Sequence, residues 1–296
     1  MNILPYPCKI NSPTAVALGR FDGVHPAHKA VISAAASNSL GLEGAVFTFS
    51  DNPNKSTSFV LSTQEEKYEL IKECGIKHLV SADFDSVRNL SAEEFVDKIL
   101  CNCLNAKAVF CGYNYRFGKG ACADVNTLST LCKDRGIILT VIDEITLDNS
   151  VISSTAIRKL LSQGEIKKAS LLLGRPYSIK GKIIHGNAIG RTIETPTLNI
   201  DVHKEKLLPR FGVYATLAHI EGKTFKAVTN IGLKPTVGSD SPTVEAYLLE
   251  VKGDFYNKDC KIELVDFLRP EEKFSNLSEL KSAISRDIEK AKHVLE

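Results

Sequence analysis

The sequence predicts an α/β protein in two parts: a parallel-sheet domain over residues 1–176 and a small antiparallel β-barrel with a terminal helix over residues 177–296. Three observations predict it. Up to about residue 175, short apolar runs alternate with amphipathic, capped segments, the rhythm of βαβ units. Beyond that point strand-like runs follow one another across short turns, which suits a small closed barrel. A length of 296 residues also matches two domains at roughly 150 residues each.

Each element has a local reason. AVALGRF (15–21) reads as a buried strand, with a helix after it from about His28 to Leu40. GAVFTFS (44–50) is the next strand, and Thr63 with Glu66 forms a capping box opening a helix to Cys74. HLVSADF (78–84) is a strand, and Ser91 with Glu94 caps a helix running to Leu104. AKAVFCG (106–112) is a strand, DVNTLSTLCKDRG (124–136) a helix stopped by glycine, and IILTVID (137–143) a strand. The second part holds YSIKGKIIHG (177–186), TLNIDV (197–202), GVYATLAHI (212–220), KTFKAVTNIG (223–232), VEAYLLEV (244–251) and KIELVDFL (261–268) as strands. Glu221-Gly222 is a two-residue hairpin turn between two of them. Asn276 to Leu295 is helical, with Leu277, Leu280, Ile284, Ile288 and Ala291 on one face.

Composition narrows the function. Hydrophobic residues make up 43% and charged residues 24%, as in ordinary soluble globular chains. Lys plus Arg total 37 against 35 Asp plus Glu, and the balance is the same on both sides of residue 175, so no basic half is offered to nucleic acid. The opening MNILPYPCKINSP lacks the basic start and apolar core of a signal peptide. The longest uncharged run, Ala30 to Leu42, is thirteen residues broken by Ser and Asn, short of the about 20 that a membrane helix needs. A cytoplasmic protein with no nucleic-acid or membrane partner is therefore expected. Its eight cysteines include no Cys-x-x-Cys pair, the usual mark of structural zinc, and read as small buried apolar side chains.

The densest chemistry lies in GRFDGVHPAH (19–28). A strand that passes through a Gly-containing turn into a helix makes an anion site, because unpaired backbone N–H groups and the helix dipole favour negative charge there. Pro26 suits the first helical position. His25 and His28 then stand one turn apart on one face, where imidazoles donate hydrogen bonds to oxygens whose charge grows as a phosphorus centre is attacked. A zinc role would need a third protein ligand, and the sequence nominates none. GKGACA (118–123) does not directly follow a strand, and the Gly-Lys-Thr at 222–224 has Leu217 where a P-loop glycine belongs, so neither is a nucleotide motif.

The stretch GRFDGVHPAH resembles the Gly-x-Phe-Asp-Gly-Val-His-x-Gly-His signature of bacterial FAD synthetases, in the nucleotidylyltransferase superfamily. The resemblance continues through FTFSDNP (47–53), CGYNYRFGKG (111–120) and ISSTAIR (152–158). GKIIHGNAIGRTIETPTLN (181–199), FGVYA (211–215), NIGLKPTVG (230–238), VEAYLLEV (244–251) and FLRPEEKF (267–274) are similar to the riboflavin kinase half of the same bifunctional proteins. The resemblance implies a Rossmann-like nucleotidylyltransferase domain that transfers AMP from ATP to FMN, giving FAD and pyrophosphate. It implies a barrel domain that phosphorylates riboflavin to FMN, with Mg2+ accompanying ATP in both halves.

The same resemblance assigns residues. Gly19, Phe21, Asp22 and Gly23 form the ATP loop beside His25 and His28, and Asn114 matches a position near the nucleotide and a Mg2+. Ser154 and Thr155 offer hydroxyls at a helix start, and Arg158 a bidentate fork for phosphate. In the kinase half, Glu245 matches the catalytic carboxylate, while Thr197 and Asn199 match the Mg2+ and nucleotide-phosphate residues. Gly181, Gly186 and Gly190 would let backbone approach phosphates closely. Five places depart from the family pattern: Ala27 for a glycine, Asp51-Asn52 for Pro-His, Ala123 for a glycine, Glu194 for a glycine and Tyr247 for a histidine. Three of the five lie in the adenylyltransferase half. A riboflavin kinase with an impaired adenylyltransferase module and a flavin-binding regulator without turnover stand as alternatives; retention of Glu245, Thr197, Asn199 and Arg158 argues against the regulator.

Overall fold

Parallel pairing buries a strand on both faces, and the apolar runs of the first part are placed accordingly. A computed structural model describes residues 1–50, 59–185, 197–233, 242–251 and 253–296. Among these, Asn2–Pro5 (β1), Thr14–Leu18 (β2), Glu43–Phe49 (β3), His78–Ala82 (β4), Ala106–Gly112 (β5) and Ile138–Ile142 (β6) form a parallel sheet in the order β1-β4-β3-β2-β5-β6. β2 and β4 are buried at every position. β1 has no counterpart in the sequence reading: a mostly exposed edge strand of four residues carries no alternation to recognise. The chain leaves β2 toward β3 on one side and returns to β5 on the other. The carboxyl ends of β2 and β5 therefore flank a topological switch point, where ligands of open α/β sheets bind.

Helices cover both faces. Pro26–Ala36 (α1) and Gln64–Glu73 (α2) bury Val31, Ile32 and Ile71 against Ala17, Val46 and Leu79. After a short helix, Phe84–Val87 (α3), Ala92–Phe95 (α4) runs on into Val96–Cys103, and with Val125–Asp134 (α5) it covers the other face through Phe95, Ile99, Leu100 and Leu128. Both capping boxes form: Thr63 and Ser91 accept from the backbone of Glu66 and Glu94, and each glutamate reaches back. Two helices differ from expectation. α1 begins at Pro26 and stops at Ala36 rather than Leu40, because the Ser37 hydroxyl donates to Ser33 O and Asn38 bonds back to Ala35 and Leu42. Residues 96–103 wind as a π-helix, with Leu104 N–H donating to Ile99 O, which keeps Val96, Ile99, Leu100 and Cys103 buried together.

The chain divides into two compact units, Met1–Ser154 and Thr155–Glu296. A small hairpin, Thr146–Leu147 (β7) with Ser150–Val151 (β8), ends the first unit and turns on Asp148 and Asn149, both with φ near +50 to +60°. Ser154–Gln163 (α6) begins at the junction, followed by Ile166–Leu173 (α7).

In the second unit, Ser178–Ile184 (β9), Leu198–Val202 (β10), Gly212–Ile220 (β11), Lys223–Leu233 (β12), Pro242–Leu248 (β13) and Asp259–Pro270 (β14) close a barrel in the order β10-β13-β12-β11-β14-β9. Glu221 (φ 49°) and Gly222 (φ 75°) make the expected two-residue turn, with Ile220 opposite Lys223. Residues before β9 are built into this unit: Arg210 N–H donates to Leu161 O, Lys167 pairs with Asp266 at 2.7 Å, and the buried Tyr177 hydroxyl donates to Leu207 O.

The terminal helix Leu277–Val294 (α8) starts at its Asn276 cap as the sequence predicts, but Leu277 is 62% exposed. The buried seam runs through Ala283, Asp287 and the expected Ala291, with Ile288 packed beside it. Asp287 is 3% exposed and accepts from Arg269 Nε at 3.0 Å and from Nη2 at 2.8 Å. Such a bidentate pair fixes α8 on β14, and removing one partner strands the other charge in a dry site. Asp287→Ala is expected to destabilise this unit by about 3–5 kcal/mol, a loss on the order of 10 °C in Tm. Thermal unfolding followed by circular dichroism checks it, and a shift under 2 °C would refute the anchor.

Candidate active sites

The loop after β2 is held in conformations that cost energy. Phe21 (φ 53°) and Val24 (φ 40°) take positive φ although neither is glycine, and Gly23 has φ 85°. Gly19 has a steric reason: a Cβ there would meet the Phe21 ring at 2.8 Å. The ring itself is buried and stands edge-on to His28, centroids 5.4 Å apart. Asp22 Oδ1 accepts from Leu61 and Ser62 N–H at 2.9 and 3.2 Å, tying the loop to the start of α2. Its carbonyl accepts from the Ser154 hydroxyl at 2.9 Å, so Ser154 docks on this loop.

The histidines stand one turn apart at the helix start, with Pro26 the first helical residue as expected. His25 is the N-cap of α1, its Nδ1 accepting from His28 N–H at 3.3 Å, and the two rings stack with centroids 3.6 Å apart. Ala27 lies between Pro26 and His28 in the first turn, an ordinary place for alanine. Burial, the neighbouring His25 and the charge of Lys67 hold the His28 imidazole well below its usual pKa, so it is neutral at pH 7. Its Nδ1 is buried with no hydrogen-bond partner among the described residues. An imidazole so placed offers one N–H to a ligand and no charge. Asn114 stands two residues past the carboxyl end of β5, exposed, across the switch point from β2. Thr155 and Arg158 lie on α6, Arg158 one turn beyond Ser154.

On the barrel, pairing register assembles a second constellation. Glu245 on β13 lies directly opposite Asn199 on β10 and opposite Asn230 on β12, so the three share one face in a row. Thr197 immediately precedes β10. The sequence reading singled out Asn199 and Glu245 and missed Asn230; the strand periodicity of KTFKAVTNIG held the signal, once the register is known. Gly181 lies within β9, where a Cβ would overlap the carbonyl oxygen of Asp201, so strand packing alone requires glycine there. Gly186, Gly190, Glu194 and the pair Asp51-Asn52 lie outside the described residues.

Comparison with known proteins matches both halves of the chain in turn. An FAD synthetase family model covers residues 8–156 and a riboflavin kinase family model covers 173–295. Proteins described as bifunctional riboflavin kinase/FMN adenylyltransferase share 34% identity in Listeria monocytogenes, over 92% of this chain and 89% of that one, and 33% in Bacillus subtilis, over 94% and 91%. The chain belongs to the bifunctional riboflavin kinase/FMN adenylyltransferase family. It is an enzyme with a nucleotidyltransferase half and a kinase half. Among solved structures, one described as a macrolide-efflux protein from Streptococcus pneumoniae has the same fold, with a TM-score of 0.89 at 25% identity over 99% of both chains. Among the described residues no helix is long and apolar enough to cross a membrane.

Two departures from the pattern of the riboflavin kinase/FMN adenylyltransferase family have structural explanations. Tyr247, where a histidine is common, packs against the cluster of Ala215, Leu249 and Ala291 together with Val228, Leu268 and Ile288, one step along the strand face from Glu245. Ala123 is buried and pairs with Phe117 through two backbone hydrogen bonds of 3.1 Å, a place that glycine is not required to fill.

Proposed function

We propose that the two halves act in sequence on one flavin: the barrel half phosphorylates riboflavin, and the sheet half adenylylates the FMN that results. The observation that carries the reading is the presence of two constellations in one chain, the histidine stack at the sheet switch point and the Asn199–Glu245–Asn230 row on the barrel. In the kinase half a neutral riboflavin hydroxyl must become a nucleophile, and Glu245 is the base that takes its proton. Thr197 and Asn199 supply oxygen donors beside that carboxylate, the hard ligands that Mg2+ with a nucleotide phosphate takes. When bound, the ion neutralises phosphate charge.

In the adenylyltransferase half the FMN phosphate is already nucleophilic, so positioning and charge neutralisation suffice. His28 donates its single N–H to phosphate oxygen while His25 fixes its ring. The loop of Gly19, Phe21, Asp22 and Gly23 presents backbone groups, Asn114 borders the nucleotide, and Ser154 and Thr155 open the helix from which Arg158 forks to phosphate. The enzyme works in the cytoplasm, consistent with eight cysteines that are all thiols. Purified protein given riboflavin, ATP and Mg2+ is expected to yield FMN and then FAD, separated by chromatography. FMN alone would favour the impaired-module reading, and no product the regulator.

The domain boundary near 176 is testable in the same assay. A fragment from Thr155 keeps α6, α7 and Tyr177 with the barrel and is expected to make FMN and no FAD. A fragment from Ser178 loses the Tyr177 hydroxyl bond and the Lys167–Asp266 pair and is expected to melt lower. Equal stability of the two would place the boundary at 176.

A further inference from the structure

Lys67 is the outlier among the buried groups of the first unit. It is the fourth residue of α2, 9% exposed, and its ammonium donates to the carbonyl of Phe49 at 2.7 Å. Among the described residues no carboxylate comes within ion-pair distance of it. An unpaired ammonium in a dry place is costly, and a clamp on one neutral carbonyl does not offset that cost.

The position is informative. β2 and β3 run in parallel with Leu18 opposite Phe47; Gly19 N–H donates to Phe47 O, and Thr48 Oγ1 donates to Arg20 O at 3.0 Å. Phe49 O therefore lies at the carboxyl edge of the sheet, level with the first residues of the ATP loop. Asp22 binds the backbone of 61–62 directly ahead of α2, so the loop and the lysine-bearing helix are one assembly. Among the described residues, the groups facing the ammonium are the Asp22 carboxylate, the Arg20 guanidinium, the His28 ring and the Tyr68 ring at 5.9 Å. At this same edge the neutral His28 keeps a buried nitrogen with no hydrogen-bond partner among the described residues.

We propose that Lys67 supplies the positive charge that the histidine pair lacks, holding ATP phosphate oxygens at the adenylyl-transfer site. The inference rests on the adenylyltransferase reading of this unit. In the step, an FMN phosphate oxygen forms a bond to the α-phosphorus, and the bond from that phosphorus to the bridging oxygen breaks. Its electron pair leaves with pyrophosphate. Lys67 neither gains nor loses a proton; it must only stay charged.

Burial and Arg20 pull the ammonium down against the opposing pull of Asp22, to a pKa of about 8. The charge is therefore present below pH 8 and lost as pH rises through it. K67M is expected to lower FAD formation from FMN and ATP by roughly 10²-fold, mainly in kcat. Riboflavin phosphorylation by the same chain stays at the wild-type rate, since the kinase belongs to the other unit, and an unchanged thermal unfolding profile of the whole chain reports an intact first unit. K67R is expected to recover at least a tenth of wild-type FAD formation, and the wild-type fall in rate above pH 8 is expected to vanish in it. Wild type making FAD with K67M equally fast, or K67R as poor as K67M with no change in the alkaline limb, overturns the role of Lys67 alone. Wild type making no FAD overturns the reading beneath it and this inference together.

Discussion

Glu245→Gln is expected to slow riboflavin phosphorylation by roughly 10²- to 10⁴-fold, the range for loss of a general base. Conversion of added FMN to FAD is expected to continue at the wild-type rate, since Glu245 belongs to the barrel unit. The amide keeps the size and the cross-strand neighbours of the carboxylate, Asn199 on one side and Asn230 on the other, so folding is not the variable. What is lost is the ability to accept a proton from a hydroxyl that is neutral at pH 7. Initial rates of FMN formation at saturating ATP decide the matter. A folded Glu245→Gln enzyme with an unchanged rate would remove Glu245 from the chemistry and leave it a surface residue of β13.

Much of this was legible because local signals and tertiary demand agree. Thr63 with Glu66 and Ser91 with Glu94 mark helix starts because reciprocal capping is a matter of side-chain reach within four residues. AKAVFCG is a strand between the very residues read from the sequence, because an apolar run of this length, closed by glycine, is too short for a helix and suits a strand exposed only at Lys107. The histidine pair, Gly19 and Ser154 were found through the motif, and all sit on or against one loop. What escaped has a common physical cause. β1 is paired on one side only and pays its way through β4, far along the chain. The π-winding of 96–103 answers to burial of four residues against the sheet, a tertiary condition absent from the segment itself. Lys67 occurs in QEEKYELI, where a lysine on a helix ordinarily reads as a solvated charge; only the packing of α2 against β3 shows it buried. Asn230 needed the register of β12 against β13, which no local pattern fixes.

His28→Ala is expected to reduce FAD formation by roughly 10²- to 10³-fold, the cost of removing one preorganised donor to developing phosphate charge, and to leave FMN formation intact. The imidazole is held neutral because burial disfavours its cation and the neighbouring His25 and Lys67 add repulsion. The sign of the pH effect follows. An unfolded His28 takes up a proton near the ordinary value of 6.5, and the folded one only well below it. The stability tied to this site is therefore full above 6.5 and lost as pH falls below it, while the folded enzyme shows no acid limb near 6.5 from this residue. Ala27→Gly probes the same turn differently. Residue 27 is helical, so alanine favours the helix by about 1 kcal/mol over glycine and backbone geometry makes no demand for glycine. The methyl of Ala27, in the turn that carries both histidines, leaves both imidazoles and the backbone donors in place, and the exchange is expected to change the ATP concentration required for adenylylation more than the maximal rate. FAD produced from FMN by wild type, Ala27→Gly and His28→Ala, measured in parallel over a range of ATP, separates the two effects. A fully active His28→Ala would end the phosphate role of the pair, and a silent wild type rescued by Ala27→Gly would show that the methyl group, not the imidazoles, governs this half.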